Sequence, residues 1–273
     1  SSGPEVAFTN NYFRVDGRPT FLFGTNQTGV MWFSPRENPA TWDKDFSQMR
    51  RFGLRVLRVL HFSPYAAKGY DGQGGHSPLD LAKKPPETLI QQTDELVAMC
   101  ARHGIVLILT LHDWLGVELT DEELEAQKAW NRFWAGRYQD ARHVLYDIEN
   151  EPSVRLSSPT PDLTLMWNSF LQIKYRTNEN LQDAWGHYAV EQPLGKIPLG
   201  SGPEVWDNPR AVDFNEFRAW LVRRWIQGNL EGLREGSLDA LATVGFLQYE
   251  WPADKFLPTS ALDFSNTHYH GPF

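Results

Sequence analysis

Asn150 and Glu151 close an otherwise apolar run, His143-Val144-Leu145-Tyr146-Asp147-Ile148-Glu149, and Pro152 follows immediately. Such a run suits a short strand buried in a sheet, and a proline cannot donate to the ladder, so it ends the strand there. A carboxyl group beside an amide at that position suits one kind of chemistry. The acid gives a proton to a leaving oxygen while the amide donates to a neighbouring hydroxyl, as cleavage of a glycosidic bond requires. A retaining version needs a second carboxylate about 5–5.5 Å from the first. The alternative for the same three residues is a strand-end glutamate held by a lysine in a barrel mouth, and Asn-Glu-Pro alone does not choose between them.

Other residues at strand ends could share the work. Arg58 lies in Val56-Leu57-Arg58-Val59-Leu60-His61, and His112, Asp113 and Trp114 follow Ile105 to Leu111. Glu250 and Trp251 end a later apolar run, where Glu250 is either a substrate contact or a surface charge, the flanking Tyr249 and Trp251 favouring the first. His268, Tyr269 and His270 end the last run. His268 and His270 alternate onto one face and could bind a metal, but a third ligand would be needed, so no metal and no cofactor are expected. Cys100 falls on the apolar stripe of a helix with Leu89, Thr93, Leu96 and Val97, which marks it as core rather than nucleophile.

These positions imply six strands, near 21–26, 56–61, 105–112, 143–151, 244–250 and 262–270. Helices are expected between them: from Asn38-Pro39 through Phe46, Met49 and Phe52 to Gly53, from Pro86-Glu87 to Gly104, and from a capping box at Thr120-x-x-Glu123. Beyond strand four, Leu163 to about Trp185 is expected as one helix. A Pro/Gly-rich insertion runs from Glu191 to Pro209, and a second helix covers Phe214 to about Leu233. Residues 7 to 20 suit a small hairpin turning at Asp16-Gly17. Strand–helix alternation of this kind builds a parallel sheet, and in a barrel of such units chemistry sits at the carboxyl ends of the strands.

Composition narrows the partners. The chain has 273 residues with a net charge of -8 and no Lys/Arg block, which argues against nucleic acid. No apolar run reaches the roughly 20 residues of a membrane helix. Aromatic residues make up 13% of the chain, with 11 Trp, and their faces can stack on sugar rings or fill a helix-packed core. The one cysteine excludes an internal disulfide framework. The four glycines between Gly69 and Gly75 lack the Gly-Lys-Ser/Thr ending of a phosphate loop and suit a rim loop.

Asp147-Ile148-Glu149-Asn150-Glu151-Pro152, with Gly53-Leu54-Arg55-Val56-Leu57-Arg58 and Leu111-His112-Asp113-Trp114 before it, resembles the clan A glycoside hydrolases. The third-strand segment looks most like the cellulase-type family 5. The resemblance implies a (β/α)8 TIM barrel, with Glu151 as general acid/base of raised pKa, Asn150 as ligand of the sugar 2-hydroxyl, Arg58 near the nucleophile and His112 lining the subsite. His268-Tyr269-His270 resembles the sixth-strand His-x-Tyr of that family, with His270 where tyrosine is usual. Tyr175 to Gly186 and Val212 to Phe217 resemble a region of the family 42 β-galactosidases, Leu-x-x-Ala-Trp-Gly being the specific part. Galactose is not carried over, because the third strand departs from that family.

Clan A enzymes place the nucleophile on strand seven, and six strands leave it outside this chain. The expectation is therefore a single catalytic domain, residues 1–273, lacking the last strands of its barrel, as one piece of a longer protein; the alternative is a truncated chain completed by a second polypeptide segment. An extra pair of strands hidden between 152 and 243, with Glu250 as nucleophile, is the competing count; the prolines at 193, 198, 203 and 209 argue against it. The function expected is retaining hydrolysis of β-linked glycosides or polysaccharide. The alternative is a carbohydrate-binding pseudoenzyme or inactive fragment. A secreted or periplasmic location would follow from such a substrate.

Overall fold

The computed structural model describes residues 2–27, 39–60, 84–113, 116–117, 119–152, 160–199, 207–247 and 261–268. Six of its strands form one parallel sheet whose spatial order is the sequence order: β4 (Gly24–Gln27), β5 (Val56–Leu60), β6 (Val106–Asp113), β7 (Val144–Asn150), β8 (Ala242–Leu247) and β9 (Asn266–His268). The curled sheet with its helices is part of a (β/α)8 barrel. Strands alternate their side chains between two apolar environments, which is why nearly every residue in these runs is apolar. Leu57, Val59, Leu107, Leu109, Leu111, Tyr146, Ile148, Val244 and Phe246 belong to the large core shared with the helices. Val56, Val106 and Leu145 face the other way, toward a small three-stranded sheet.

That sheet plugs the amino-terminal end of the strands. β1 (Val6–Thr9), β2 (Tyr12–Val15) and β3 (Arg18–Pro19) form an antiparallel meander. It turns at Asn10-Asn11 and again at Asp16-Gly17, all four residues with positive φ, as the tight turns that match strand twist require. Val6, Phe13 and Val15 pack against the starts of β5, β6 and β7, leaving the carboxyl ends as the open side.

Among the described residues the α-helices are α1 (Pro39–Arg51), α2 (Glu87–His103), α3 (Asp121–Arg137), α4 (Pro161–Tyr175), α5 (Asn178–Trp185) and α6 (Pro209–Gly236). The capping box of α3 is complete: Glu123 N donates to Thr120 Oγ1, and Thr120 N to a Glu123 carboxylate oxygen. Cys100 is fully buried on α2, and burial pushes its thiol pKa far up. Trp42, Trp130, Trp134, Trp167, Trp185 and Trp225 are also buried. Helix packing thus accounts for six of the 11 tryptophans. No described helix is long and apolar enough to cross a membrane.

Some expectations need correction. The first barrel strand begins at Gly24 rather than Phe21, and Phe21 and Phe23 are 88% and 59% exposed. β4 pairs with β5 alone among the described strands, so the residues before it have no second neighbour to cover them. The single helix expected over 163–185 is two. Arg176 at φ 65 ends α4, and Thr177 Oγ1 accepts from Asn180 N to start α5. Phe52 lies beyond α1 and is exposed. The count of strands up to β8 stands: β7 is hydrogen-bonded directly to β8, Tyr146 opposite Ala242, and no strand lies in residues 160–199 or 207–241. Glu250 and the glycine-rich segment lie outside the described residues.

α3 and α6 make the most extensive helix pair, and glycines permit the approach. A Cβ on Gly232 would sit 2.5 Å from Lys128 O and 2.8 Å from Lys128 Cα. Those are backbone atoms, so the neighbour cannot yield by changing rotamer. Gly232→Val should therefore destabilise the fold by about 2–3 kcal/mol, the cost of overpacking a close contact. Urea denaturation would show a lower midpoint at unchanged slope; an unchanged midpoint would mean that the helices can separate freely.

Candidate active site

Polar side chains from several barrel strands meet across the sheet around Asn150 and Glu151. Asp147 on β7 is the most connected. It is fully buried and its Oδ2 accepts from Arg58 Nε at 2.9 Å, Arg58 Nη2 at 2.5 Å and Thr110 Oγ1 at 3.1 Å. Its Oδ1 accepts from Gly245 N at 2.8 Å. One carboxylate therefore ties β5, β6, β7 and β8 together. Removing one partner of a buried, hydrogen-bonded pair of this kind typically costs about 3–5 kcal/mol.

Arg58 extends the network sideways. Its Nη1 donates to Asn26 Oδ1 on β4 at 3.1 Å, and its Nη2 to Asn150 Oδ1 at 3.0 Å. The second bond fixes the orientation of the Asn150 amide, because a guanidinium offers only donors and selects the carbonyl end. The Nδ2 end is thereby turned away from Arg58.

Glu151 follows directly, in an unusual backbone conformation. Its φ is 51, a left-handed value that non-glycine residues rarely adopt and that costs about 1–3 kcal/mol where it occurs. Two features hold it. The β7–β8 register slips between Asp147 and Asn150, the mark of a bulge that re-aims the residues after it. Glu151 N then donates to Gly245 O at 2.8 Å. The carboxylate is reached from β9, where His268 Nδ1 lies 2.9 Å from Glu151 Oε1. Gly245 makes this crossing possible: a Cβ there would be 2.6 Å from His268 Nε2 and 3.1 Å from Asp147 Oδ2.

His112, expected to line the subsite, lies on β6 with its ring turned toward α3. The ring is fully buried, and Nε2 faces Asn131 Oδ1 on α3 at 2.8 Å. Asn131 Nδ2 donates to Asn229 Oδ1 on α6 at 2.7 Å, so Asn131 Oδ1 is an acceptor and His112 carries its proton on Nε2. Nδ1 is then an acceptor with no partner among the described residues. Burial lowers the pKa of the ring to about 4, against the smaller opposing effect of Asn131.

The structure thus gathers Arg58, Asn150, Glu151 and His268, and sets His112 into the strand–helix interface beside them. Asp113 is described as the last residue of β6. Trp114, Glu250, Trp251 and Tyr269 lie outside the described residues, as does His270. Sequence reasoning did not single out Asp147, Thr110 or Gly245 for the site. Asp147 carried a signal nonetheless: a charge inside a run buried on both faces demands a partner, and Arg58 is the matching one.

The family model for cellulase, glycosyl hydrolase family 5, matches residues 13–189. The chain belongs to that family. The matched stretch contains Arg58, His112, Asn150 and Glu151. A relative in Aspergillus flavus named "Probable mannan endo-1,4-beta-mannosidase A" is 24% identical over 172 residues, 55% of this chain and 44% of that protein. A similarly named protein of Aspergillus terreus is 25% identical over 175 residues, 54% of this chain and 43% of its own length. The family 5 chain therefore spans under half the length of these relatives.

Solved structures agree in fold. A β-galactosidase from the haloarchaeon Halorubrum lacusprofundi superposes with a TM-score of 0.69 at 16% identity, covering 92% of this chain and 40% of that one. One from Bacillus circulans sp. alkalophilus gives 0.68 at 14% identity, covering 93% and 40%.

The buried imidazole makes stability depend on pH. In the unfolded chain His112 protonates near its ordinary pKa of 6.5, whereas the folded chain resists until about pH 4. Between those values the unfolded state binds more protons, so stability falls as pH falls; by pH 4 the loss from this group approaches about 3 kcal/mol. His143, whose pKa burial also lowers, adds in the same sense. Unfolding free energies measured by urea titration from pH 7 to pH 4 should decline, and the decline should be shallower in His112→Gln. Parallel profiles for the two proteins would show that His112 is not the responsible group.

Proposed function

We propose that the chain forms the acid/base side of the active site of a retaining glycoside hydrolase acting on β-linked glycosides or polysaccharide. The observation that carries this reading is Glu151 itself. A carboxylate is held in a strained conformation at the carboxyl end of a parallel strand, contacted by an imidazole and preceded by an amide whose orientation an arginine fixes. Strain maintained by a bulge, a ladder bond and a neighbouring strand fits a residue kept for its chemistry rather than for stability. Family 5 membership and the names of the mannosidase relatives support the same class of reaction.

In this reading Glu151 protonates the glycosidic oxygen and later takes a proton from the attacking water. Asn150 donates to the 2-hydroxyl of the sugar beside the scissile bond, a contact that strengthens in the transition state. Arg58 keeps positive charge near the nucleophile. His112, neutral and with its accepting nitrogen away from α3, and His268 serve the sugar or the acid beside it. Asp113, Trp114, Glu250, Trp251 and Tyr269 are proposed as further substrate contacts. The nucleophile is a glutamate of a seventh barrel strand, beyond the six described.

Aryl β-mannosides, β-glucosides and β-galactosides with a good leaving group are suitable probes. Glu151→Ala should lower turnover by about 10²–10⁴-fold on glycosides with poor leaving groups, the usual worth of general acid/base catalysis. With an activated leaving group, azide should restore activity as the β-glycosyl azide forms. Turnover unaffected by Glu151→Ala would remove Glu151 from the role, and an inverted product would exclude the retaining route.

A further inference from the structure

The Asp147 carboxylate connects to three groups of the proposed site: to Arg58 directly, to Asn150 through Arg58 and to Glu151 through Gly245. Arg58 donates to it through Nε and Nη2, and the same Nη2 donates to Asn150 Oδ1. A guanidinium is planar, so two bonds to one carboxylate fix the plane in which the remaining N–H groups point. The bond to Asn150 Oδ1 therefore exists in this orientation because Asp147 holds the plane. On the other side, Asp147 Oδ1 accepts from Gly245 N, while Gly245 O accepts from Glu151 N. The peptide groups flanking Gly245 are thus held at one face by the Asp147 side chain and bear Glu151 at the other. Side chain and backbone together span the register slip between Asp147 and Asn150.

We propose that Asp147 is a positioning residue for the reaction. It sets the Asn150 amide through Arg58, so that the donor end faces the sugar 2-hydroxyl, and it pins the bulge from which Glu151 projects. The inference rests on the role proposed for Asn150 above and adds the residue that enforces it. Thr110 Oγ1 completes the shell by donating to the same Oδ2 as Arg58, which leaves that oxygen surrounded by donors and opposes any swing of the carboxylate. An Asn at this position keeps the shape but brings an NH₂ group against donors on one side, either the guanidinium or Gly245 N, and loses the charge that Arg58 requires.

The experiment compares 4-nitrophenyl β-glycosides with their 2-deoxy counterparts in the full chain and in Asp147→Asn, Asn150→Ala and the double variant. The wild-type ratio of kcat/KM for 2-hydroxy over 2-deoxy substrate is the readout, because a general loss of folded enzyme cancels from it. Asp147→Asn should lower the ratio by about tenfold, the worth of one well-made hydrogen bond. The double variant should lower it no further than Asn150→Ala does, as expected of groups acting through one contact. A ratio unchanged in Asp147→Asn overturns the proposal and leaves Asp147 a structural residue. A wild type that shows no 2-hydroxyl preference instead overturns the role given to Asn150. A crystal structure of Asp147→Asn tests the inference without activity: Arg58 Nη2 should have left Asn150 Oδ1, and finding it still bonded there refutes the proposal. Should Asp147→Asn fail to fold, Arg58→Lys asks the same question. One ammonium cannot hold Asp147 and Asn150 in the same plane, so the ratio should fall, and an unchanged ratio again counts against the proposal.

Discussion

A guanidinium enclosed among parallel strands needs an anion within reach, and the Arg58–Asp147 pair meets that need at the point where four strands converge. Charges in such surroundings are tolerated only when paired and hydrogen-bonded, because the interior cannot solvate them as water does. The pair is saturated: three donors reach one carboxylate oxygen and a backbone N–H reaches the other. An apolar pair of equal volume could pack there with less electrostatic penalty. What it could not supply is direction. The guanidinium plane, the orientation of the Asn150 amide and the position of the β7 bulge all follow from where this one carboxylate sits.

The two ends of the sheet divide the labour. At the amino-terminal end the β1–β3 meander buries aromatic and aliphatic side chains against strand starts. Toward the carboxyl end, Asn26, Arg58, Asp147, Asn150, Glu151 and His268 bond to one another across strands. Helices set the spacing between the two. The amides of Gln127, Asn131 and Asn229 run between α3 and α6, with Trp225 Nε1 donating to Gln127. Through Asn131 they reach His112, so the helix layer fixes the tautomer of a ring on a barrel strand.

Much of this was legible before any coordinates. Strands buried on both faces leave uninterrupted apolar runs, and those runs placed β5, β6 and β7 within a residue or two. The Thr120–Glu123 box declared the start of α3 because both of its bonds are local. Cross-strand pairing was far less accessible. Arg58 and Asp147 are 89 residues apart, and no local pattern states that they meet, although each is an anomaly in its own strand. The split between α4 and α5 leaves little mark in the sequence; the Thr177 cap and the positive φ of Arg176 make the break. The candidate site around Glu151 stands out from its own residues, whereas the groups that hold Glu151 and Asn150 lie on other strands.

Spatial order that follows sequence order has a consequence for how this molecule comes into being. Each strand from β5 onward docks on the one just made, so a chain emerging from the ribosome can add one unit at a time without rearranging earlier ones. The partners of Arg58 on β4 and β7 are available once β7 exists. The amide that completes the Asp147 shell arrives with β8, and the imidazole that meets Glu151 arrives with β9. Between the end of β7 and the start of β8, roughly 90 residues of helix and connecting chain, the nascent barrel carries its charged pair with one side of the carboxylate unmet. Until β8 is made, water has to supply the donor that Gly245 N later provides.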